Sequence, residues 1–593
     1  MSKPDPVEGV SRRDATRVRD RRRLRTLRRL RTVALVVIVV SGTVFAAQRS
    51  VGRSAHDPRL HRTVGTRTYP APAGARRGDA ALRTTSLGRF GVQAAWVAHE
   101  NAEPGTTAWR ITGRQPGYIR GFADRTDAKV GDRVGLYVST DATSFRVIAY
   151  RMGYYGGRGA RDIWSSTTIR GSVQPPCPVA PGTNMVACDN WSRSTTFAIT
   201  AAFVPGDYLL KLVGSGGQQS WVLLTIIDPA SRATYVLVGR LLTEEGWNGY
   251  GGFDFYQGTG PCPRGSSTYP VCNRARVVSF DRPYIDGNGS SDFLGNEYPL
   301  VRFCEQHGLD VTYVSDVAID EHPELLLAHK AILSLGHDET WTYAERRGAQ
   351  VALAHGVNIA LFGAAAVLRH SRLQSSPLGP DREEVDYRNS DEDPLGRKGD
   401  PMQVTGNTWG SPPASWSEVS FVGQEYSGYM QPGTGTVPLV VFDATAWIFR
   451  GTRLRTGSAV PGVIDSDFDH LDPRLVPAGL QVLAHSPIPL ARAYTNQGTW
   501  GAVTYSDMTY YSDPSSKGGV FDSGTVNWIN TLTPCVTGYA CSAPVVQQMT
   551  GNLLWLFGQG PAGSIIPPKP NWQTVVRPVL ATEPSSHRTR SRT

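Results

Sequence analysis

Three side chains able to move protons stand together at His337, Asp338 and Glu339, at the end of the apolar run KAILSLGHDE. In an extended chain alternate residues share a face, so His337 and Glu339 point to one side and can act together. Asp338 points away from them, or caps the helix that follows. Two aromatic, glycine-containing runs also carry chemistry: WNGYGGFDFY (247–256) and SFDRPY (279–284). Their glycines permit tight turns and close backbone approach to a ligand. A tyrosine in such a run either packs with its hydroxyl hydrogen-bonded or, beside a hard cation such as Fe(III), gives up its proton and binds the ion. There is no Walker A motif, no HExxH, and no GxSxG in a strand–turn–helix setting. Cys304 lies in an apolar helical pattern, PLVRFCEQHG, and reads as a buried free thiol rather than a nucleophile.

These residues need a scaffold, and strand–helix alternation supplies one. ATYVLVG, LDVTYVS, KAILSLGH and VNIALFG are short apolar strands. EYPLVRFCEQHG and WTYAERRGAQVALAHG, between them, have helical patterning. This spacing predicts a parallel, doubly wound α/β domain over residues 231–560, with ligands at the carboxyl ends of the strands. The domain carries long Gly/Pro-rich insertions such as 372–416 and ends in the amphipathic helix VVQQMTGNLLWLFG. Residues 94–230 read as a β-sandwich of immunoglobulin-like architecture: short β-branched or aromatic runs separated by Gly, Asp, Asn and Pro. Residues 49–93 read as a disordered linker and 561–593 as a disordered tail.

The N-terminus has two physically distinct parts. Residues 1–31 are a basic cytoplasmic segment, and 32–48, which hold the apolar run VALVVIVVSGTVFAA, read as a transmembrane anchor or signal. The body is then extracytoplasmic: single-pass at the cell membrane, or secreted if the segment is cleaved. Residues 1–32 hold 12 Lys/Arg against 4 Asp/Glu, so +8 of the chain's +10 sits there. The near-neutral remainder offers no basic groove for nucleic acid. Export also fits the cysteines. Six of the seven form local pairs, Cys177 with Cys188, Cys262 with Cys272 and Cys535 with Cys541, a spacing that suits disulfides rather than zinc.

Several stretches together resemble the large-subunit family of N,N-dimethylformamidase, in an exported actinobacterial branch. They are Tyr150-Arg151-Met152-Gly153-Tyr154-Tyr155-Gly156-Gly157, Ser279-Phe280-Asp281-Arg282-Pro283, Glu297-Tyr298-Pro299-Leu300-Val301-Arg302, Gly336-His337-Asp338-Glu339 and Asp507-Met508-Thr509-Tyr510-Tyr511. The resemblance covers about residues 115–560. It implies a β domain packed on an amidotransferase-like α/β domain, and amide hydrolysis at one iron held by two tyrosines and a glutamate, with a histidine assisting. Carried onto this chain, Glu339 matches the ligand glutamate and His337 the assisting histidine, with Tyr284 and Tyr250 as candidate tyrosine ligands. Two positions depart from the pattern. Trp247 stands where many relatives have tyrosine, and Ala365 lies in a run, Gly363-Ala364-Ala365-Ala366, where relatives often have Ser-Gly-Asn-Ala. The function expected is an iron-dependent hydrolase of a small linear amide, with an oligomer possible. The alternative is a non-catalytic cell-envelope protein that binds glycan or a partner beside a degenerate site.

Overall fold

A computed structural model describes residues 84–575, apart from 114–115, 263–270, 397, 496–502 and 535–540. The apolar runs form the middle of a seven-stranded sheet: β1 (Tyr235–Gly239), β2 (Val311–Ser315), β3 (Ala331–Ser334), β4 (Asn358–Leu361), β5 (Gln481–Pro489), β6 (Val503–Ser512) and β7 (Gly519–Asp522). Their order is β2-β1-β3-β4-β7-β6-β5. The first five are parallel, and β6 and β5 complete the sheet antiparallel. Every residue of β1 to β4 and β7 is buried. Strands covered on both faces read as unbroken apolar runs, which is why the sequence shows no alternation there. Successive side chains still part company: Tyr235, Leu237 and Leu333 enter one apolar cluster, Val236, Val238 and Ile332 another.

Five helices matter here: α1 (Leu241–Gly246), α2 (Tyr298–Gln306), α3 (Asp316–Glu321), α4 (Tyr343–Ala354) and α5 (Ala543–Phe557). The Thr342 hydroxyl, accepting from the Glu345 amide, caps α4. Asp338 is therefore not the cap. A short strand, Thr340–Thr342, intervenes, and the buried Asp338 carboxylate instead accepts from the Ser334 hydroxyl at 2.6 Å.

Residues 119–226 are β-rich, in two sheets. One has the order Asp127–Ala128, Gln219–Ile226, Gly206–Gly214, Ser144–Met152, Ala160–Ser165. The other joins Ile119–Ala123, Arg133–Thr140 and Thr195–Ala198. They share an apolar cluster to which Leu136 and Val138 contribute from one sheet and Val147, Leu210 and Leu212 from the other. A buried ion pair ties this region to α2: Arg151 Nη2 meets Glu305 Oε1 at 2.6 Å, and Tyr313 donates to the same oxygen at 2.7 Å. The Tyr-Arg-Met-Gly-Tyr-Tyr run thus joins two parts of the chain and lies away from His337 and Glu339.

Two expected boundaries shift. A hairpin, Thr85–Gly88 with Gly91–Ala94, occupies the end of the expected linker. Phe90, buried at the hairpin's turn, packs on Phe303 and His307, and this burial orders the segment. At the other end, chain order runs past 561. Asn571 bonds both polar backbone groups of Val482, at 2.7 and 2.9 Å. The Gly/Pro-rich stretch 372–416 includes most of a strand pair, Arg369–Ser376 with Gly379–Val385. Disulfides join Cys177 to Cys188 and Cys262 to Cys272, and Cys541 is disulfide-bonded. Cys304 is free and buried. Segment 32–48 and Cys535 lie outside the described residues. Among the described residues no helix is long and apolar enough to cross a membrane.

Candidate functional site

The chain leaves β1 toward β2 on one side and returns to β3 on the other, so the loops after β1 and β3 diverge from neighbouring strands. Such a switch point opens a crevice at the carboxyl ends of a sheet. Trp247 and Tyr256 come from the segment after β1, and His337 and Glu339 from the segment after β3. Gly336, at φ 59°, turns the chain out of β3. A Cβ on Gly363, just past β4, would lie 1.8 Å from the Gly336 carbonyl oxygen, so only glycine allows these two strand ends to touch.

Glu339 is the centre of the cluster. Its Oε1 accepts from Arg369 Nε at 3.0 Å. Its Oε2 accepts from the Tyr256 hydroxyl and from Trp247 Nε1, the latter at 3.2 Å. The Thr243 hydroxyl on α1 accepts the Glu339 and Thr340 amides, both at 3.0 Å, and fixes the backbone. Burial pushes this carboxyl up, but the Arg369 charge, with His337, Arg388 and the Tyr256 hydrogen bond, overrides it and holds the pKa at about 2. Glu339 is therefore a buried carboxylate, ionised at any ordinary pH. On Tyr256 burial acts in the same direction and wins: with Glu339 alongside, it holds the proton on the phenol well above its usual range, against the pull of Arg388.

His337 lies beside this carboxylate, its Nε2 3.7 Å from Glu339 Oε2 and 3.3 Å from Asp467 Oδ2. That nitrogen is buried and without a hydrogen-bond partner, aimed between two carboxylates. Asp467 comes from a different element, the strand Asp467–His470 of the insertion that precedes β5. Burial and Glu339 raise its carboxyl to about 6, with His337 opposing. Tyr426 donates to Asp467 Oδ1 at 3.4 Å from the paired strand Glu425–Met430.

The structure brings His337 and Glu339 together and places the two candidate tyrosines elsewhere. Tyr250 packs with Phe122, Tyr137, Trp191 and the Cys177–Cys188 bridge. Tyr284 lines a small cavity of about 40 Å³ with Glu245, Arg282 and Phe280. Neither is among the hydrogen-bond partners of Glu339. The phenols at this carboxylate pair are Tyr256 and Tyr426. Tyr256 ends the aromatic run that the sequence singled out. Its signal was Asp254, whose Oδ1 accepts the Tyr256 and Gln257 amides at 2.7 and 2.8 Å, the Asx turn that swings the phenol inward. Asp467, Tyr426 and Arg369 come from segments with no local signature. Ala365 adopts φ 56° and donates its amide to Asp469 at 2.7 Å. Among the described residues no three His, Cys, Asp or Glu side chains form a metal-holding group.

A family model described as N,N-dimethylformamidase beta subunit-like, C-terminal, matches residues 146–541, about two thirds of the sequence, and the chain belongs to that family. No curated protein matches the sequence. Among solved structures, a Paenibacillus sp. cycloisomaltooligosaccharide glucanotransferase complexed with cycloisomaltoheptaose is similar over 46% of this chain and 35% of its own. With 8% identity and a TM-score of 0.14, that likeness carries no argument.

Proposed function

We propose that the chain hydrolyses the C–N bond of a small amide at the Glu339 cluster. The observation that carries this reading is the buried, ionised Glu339 facing an unpartnered imidazole nitrogen, with a second carboxylate titrating near neutrality beside it. Perturbed, mutually opposed carboxyl groups at a sheet's switch point are the signature of acid–base work. In this scheme Asp467, deprotonated above about pH 6, takes a proton from the attacking water. His337, 3.3 Å away, passes it to the departing amine as the C–N bond breaks. Arg369 and the Thr243 hydroxyl keep Glu339 in place.

The donors fit a hard cation such as Fe(III). Tyr256 Oη and Glu339 Oε2 are adjacent oxygens, and the unpartnered His337 Nε2 faces the same space. Tyr256 and Glu339 would hold the iron, with His337 assisting, in place of the expected Tyr250 and Tyr284. An iron ion there would polarise the amide carbonyl and acidify bound water. We further propose that residues 94–230 are an immunoglobulin-like sandwich and 231–560 an amidotransferase-like domain. The N-terminal segment would hold this body outside the membrane, as in an exported branch of the family.

A second reading has its own support. Trp247 Nε1–H donates to the carboxylate where a phenol would bind metal, and Arg369 already neutralises the charge. On that reading the cluster is a sealed ion pair, and the protein binds an envelope glycan. Iron content and absorption separate the two. The full chain purified without chelator is expected to carry about one iron with a tyrosinate-to-Fe(III) band that disappears in Glu339→Gln. A colourless chain that takes up no added iron contradicts the metal assignment.

A further inference from the structure

The amide reading leaves the substrate open, and the aromatic stack beside Glu339 narrows it. Arg388 Cζ lies 3.8 Å from the centre of the Tyr256 ring, and the Trp247 ring lies 3.5 Å from it, tilted by only 12°. Two groups so close to one ring must occupy its opposite faces. Guanidinium, phenol and indole therefore form a three-layer stack with Trp247 outermost. The indole N–H is tied to Glu339 Oε2, which fixes the ring's rotation as well as its plane.

Trp247 is nonetheless 44% exposed, although its inner face is covered by Tyr256 and its nitrogen by Glu339. The exposure therefore belongs to the outer face and rim. Ile285, 45% exposed, is joined to the same loop: Asn248 Oδ1 accepts the Ile285 amide at 3.2 Å, and Asn248 Nδ2 donates to the Pro283 carbonyl at 3.1 Å. A rigid, flat, apolar surface thus opens beside the reactive carboxylate. The two nearby guanidinium groups are matched: Arg369 with Glu339, and Arg388 with Asp386 at 3.1 Å. Among the described residues neither guanidinium is left free to recruit an anionic substrate.

From this geometry we infer that Trp247 is a specificity-determining platform, and that the site takes neutral amides bearing a planar, aryl substituent in preference to dimethyl amides. This rests on the amide-hydrolase reading. An aryl ring laid on the indole extends the stack by one layer and brings its amide group beside Glu339 and His337. Stacking of this kind is worth roughly threefold to tenfold in affinity beyond area burial. A dimethylamide has too little surface to cover the indole.

The test compares acetanilide with N,N-dimethylacetamide on the full chain, as wild type, Trp247→Phe and Trp247→Val. Binding is read by ligand-detected NMR and turnover by amine release. The expected result is at least tenfold tighter binding of acetanilide to the wild type, a preference mostly kept by Phe and reduced to about twofold or less by Val. Equal affinity of the two amides for the wild type, or an unchanged preference in the Val variant, overturns the platform. Trp247-dependent preference without amine release, with or without added iron, upholds the platform and refutes the hydrolase reading. Amine release with no dependence on Trp247 does the reverse.

Discussion

Replacing Asp467 with Asn separates what the site costs the fold from what it does. Asp467 is largely buried beside His337, within the field of Glu339, and its carboxyl is raised from 3.8 to about 6. A raised carboxyl binds its proton more tightly in the folded than in the unfolded protein. Folded stability therefore falls as pH rises from about 4 to about 6, and the loss is constant above that. About two pKa units correspond to roughly 3 kcal/mol. Asn has the same shape, keeps an oxygen for the Tyr426 hydroxyl and carries no charge to desolvate. The variant should equal the wild type in stability near pH 4 and exceed it by about 1–3 kcal/mol at pH 7.5. Amine release should fall by about two orders of magnitude or more if Asp467 is the base. Urea unfolding at both pH values, followed by tryptophan fluorescence, gives the first quantity. An Asn variant less stable than the wild type at pH 7.5 would refute the argument, because it would mean that the Asp467 charge stabilises the fold through His337.

Three further outcomes follow from the same structure. Wild-type kcat/KM should drop tenfold per pH unit below about 6 as Asp467 is protonated; a rate–pH profile flat from 5 to 7 would assign the base elsewhere. Arg151→Ala should lower stability by roughly 3–5 kcal/mol, because it strands the buried Glu305. It should leave the pH profile unmoved, since Arg151 lies away from Glu339. Cys304 should resist thiol reagents in the folded chain and react on unfolding: it is buried, and burial pushes its thiol far above the usual range. Labelling at the native rate of a free thiol would contradict that placement.

The parts of this protein legible in its sequence are those that local physics dictates. β1 to β4 are apolar runs of the length and spacing that parallel strands require, and the Gly336-His337-Asp338-Glu339 turn follows β3 as expected. His337 and Glu339 were legible as neighbours at one strand end, although the turn at Gly336–Asp338, rather than extended alternation, brings their side chains to 3.7 Å. The tyrosines were not, because a phenol's direction depends on a turn two residues earlier: Asp254 orients Tyr256 inward, whereas Tyr250, six residues upstream, packs against a disulfide in the β region. Asp467 arrives from 128 positions beyond Glu339 on an inserted strand, and no local pattern announces such an approach. Asp338 misled for a related reason. A polar residue before a helical pattern reads as a cap, but three residues of strand pairing with Arg369–Ser371 moved the helix start to Thr342.

The most direct test of the account is release of amine from simple neutral amides by the full chain purified without chelator, beside Glu339→Gln prepared identically. The expected result is turnover by the wild type, rising through pH 6, and its loss in the variant with folding retained. Absence of amine release from any amide, or equal release by the two proteins, would contradict it.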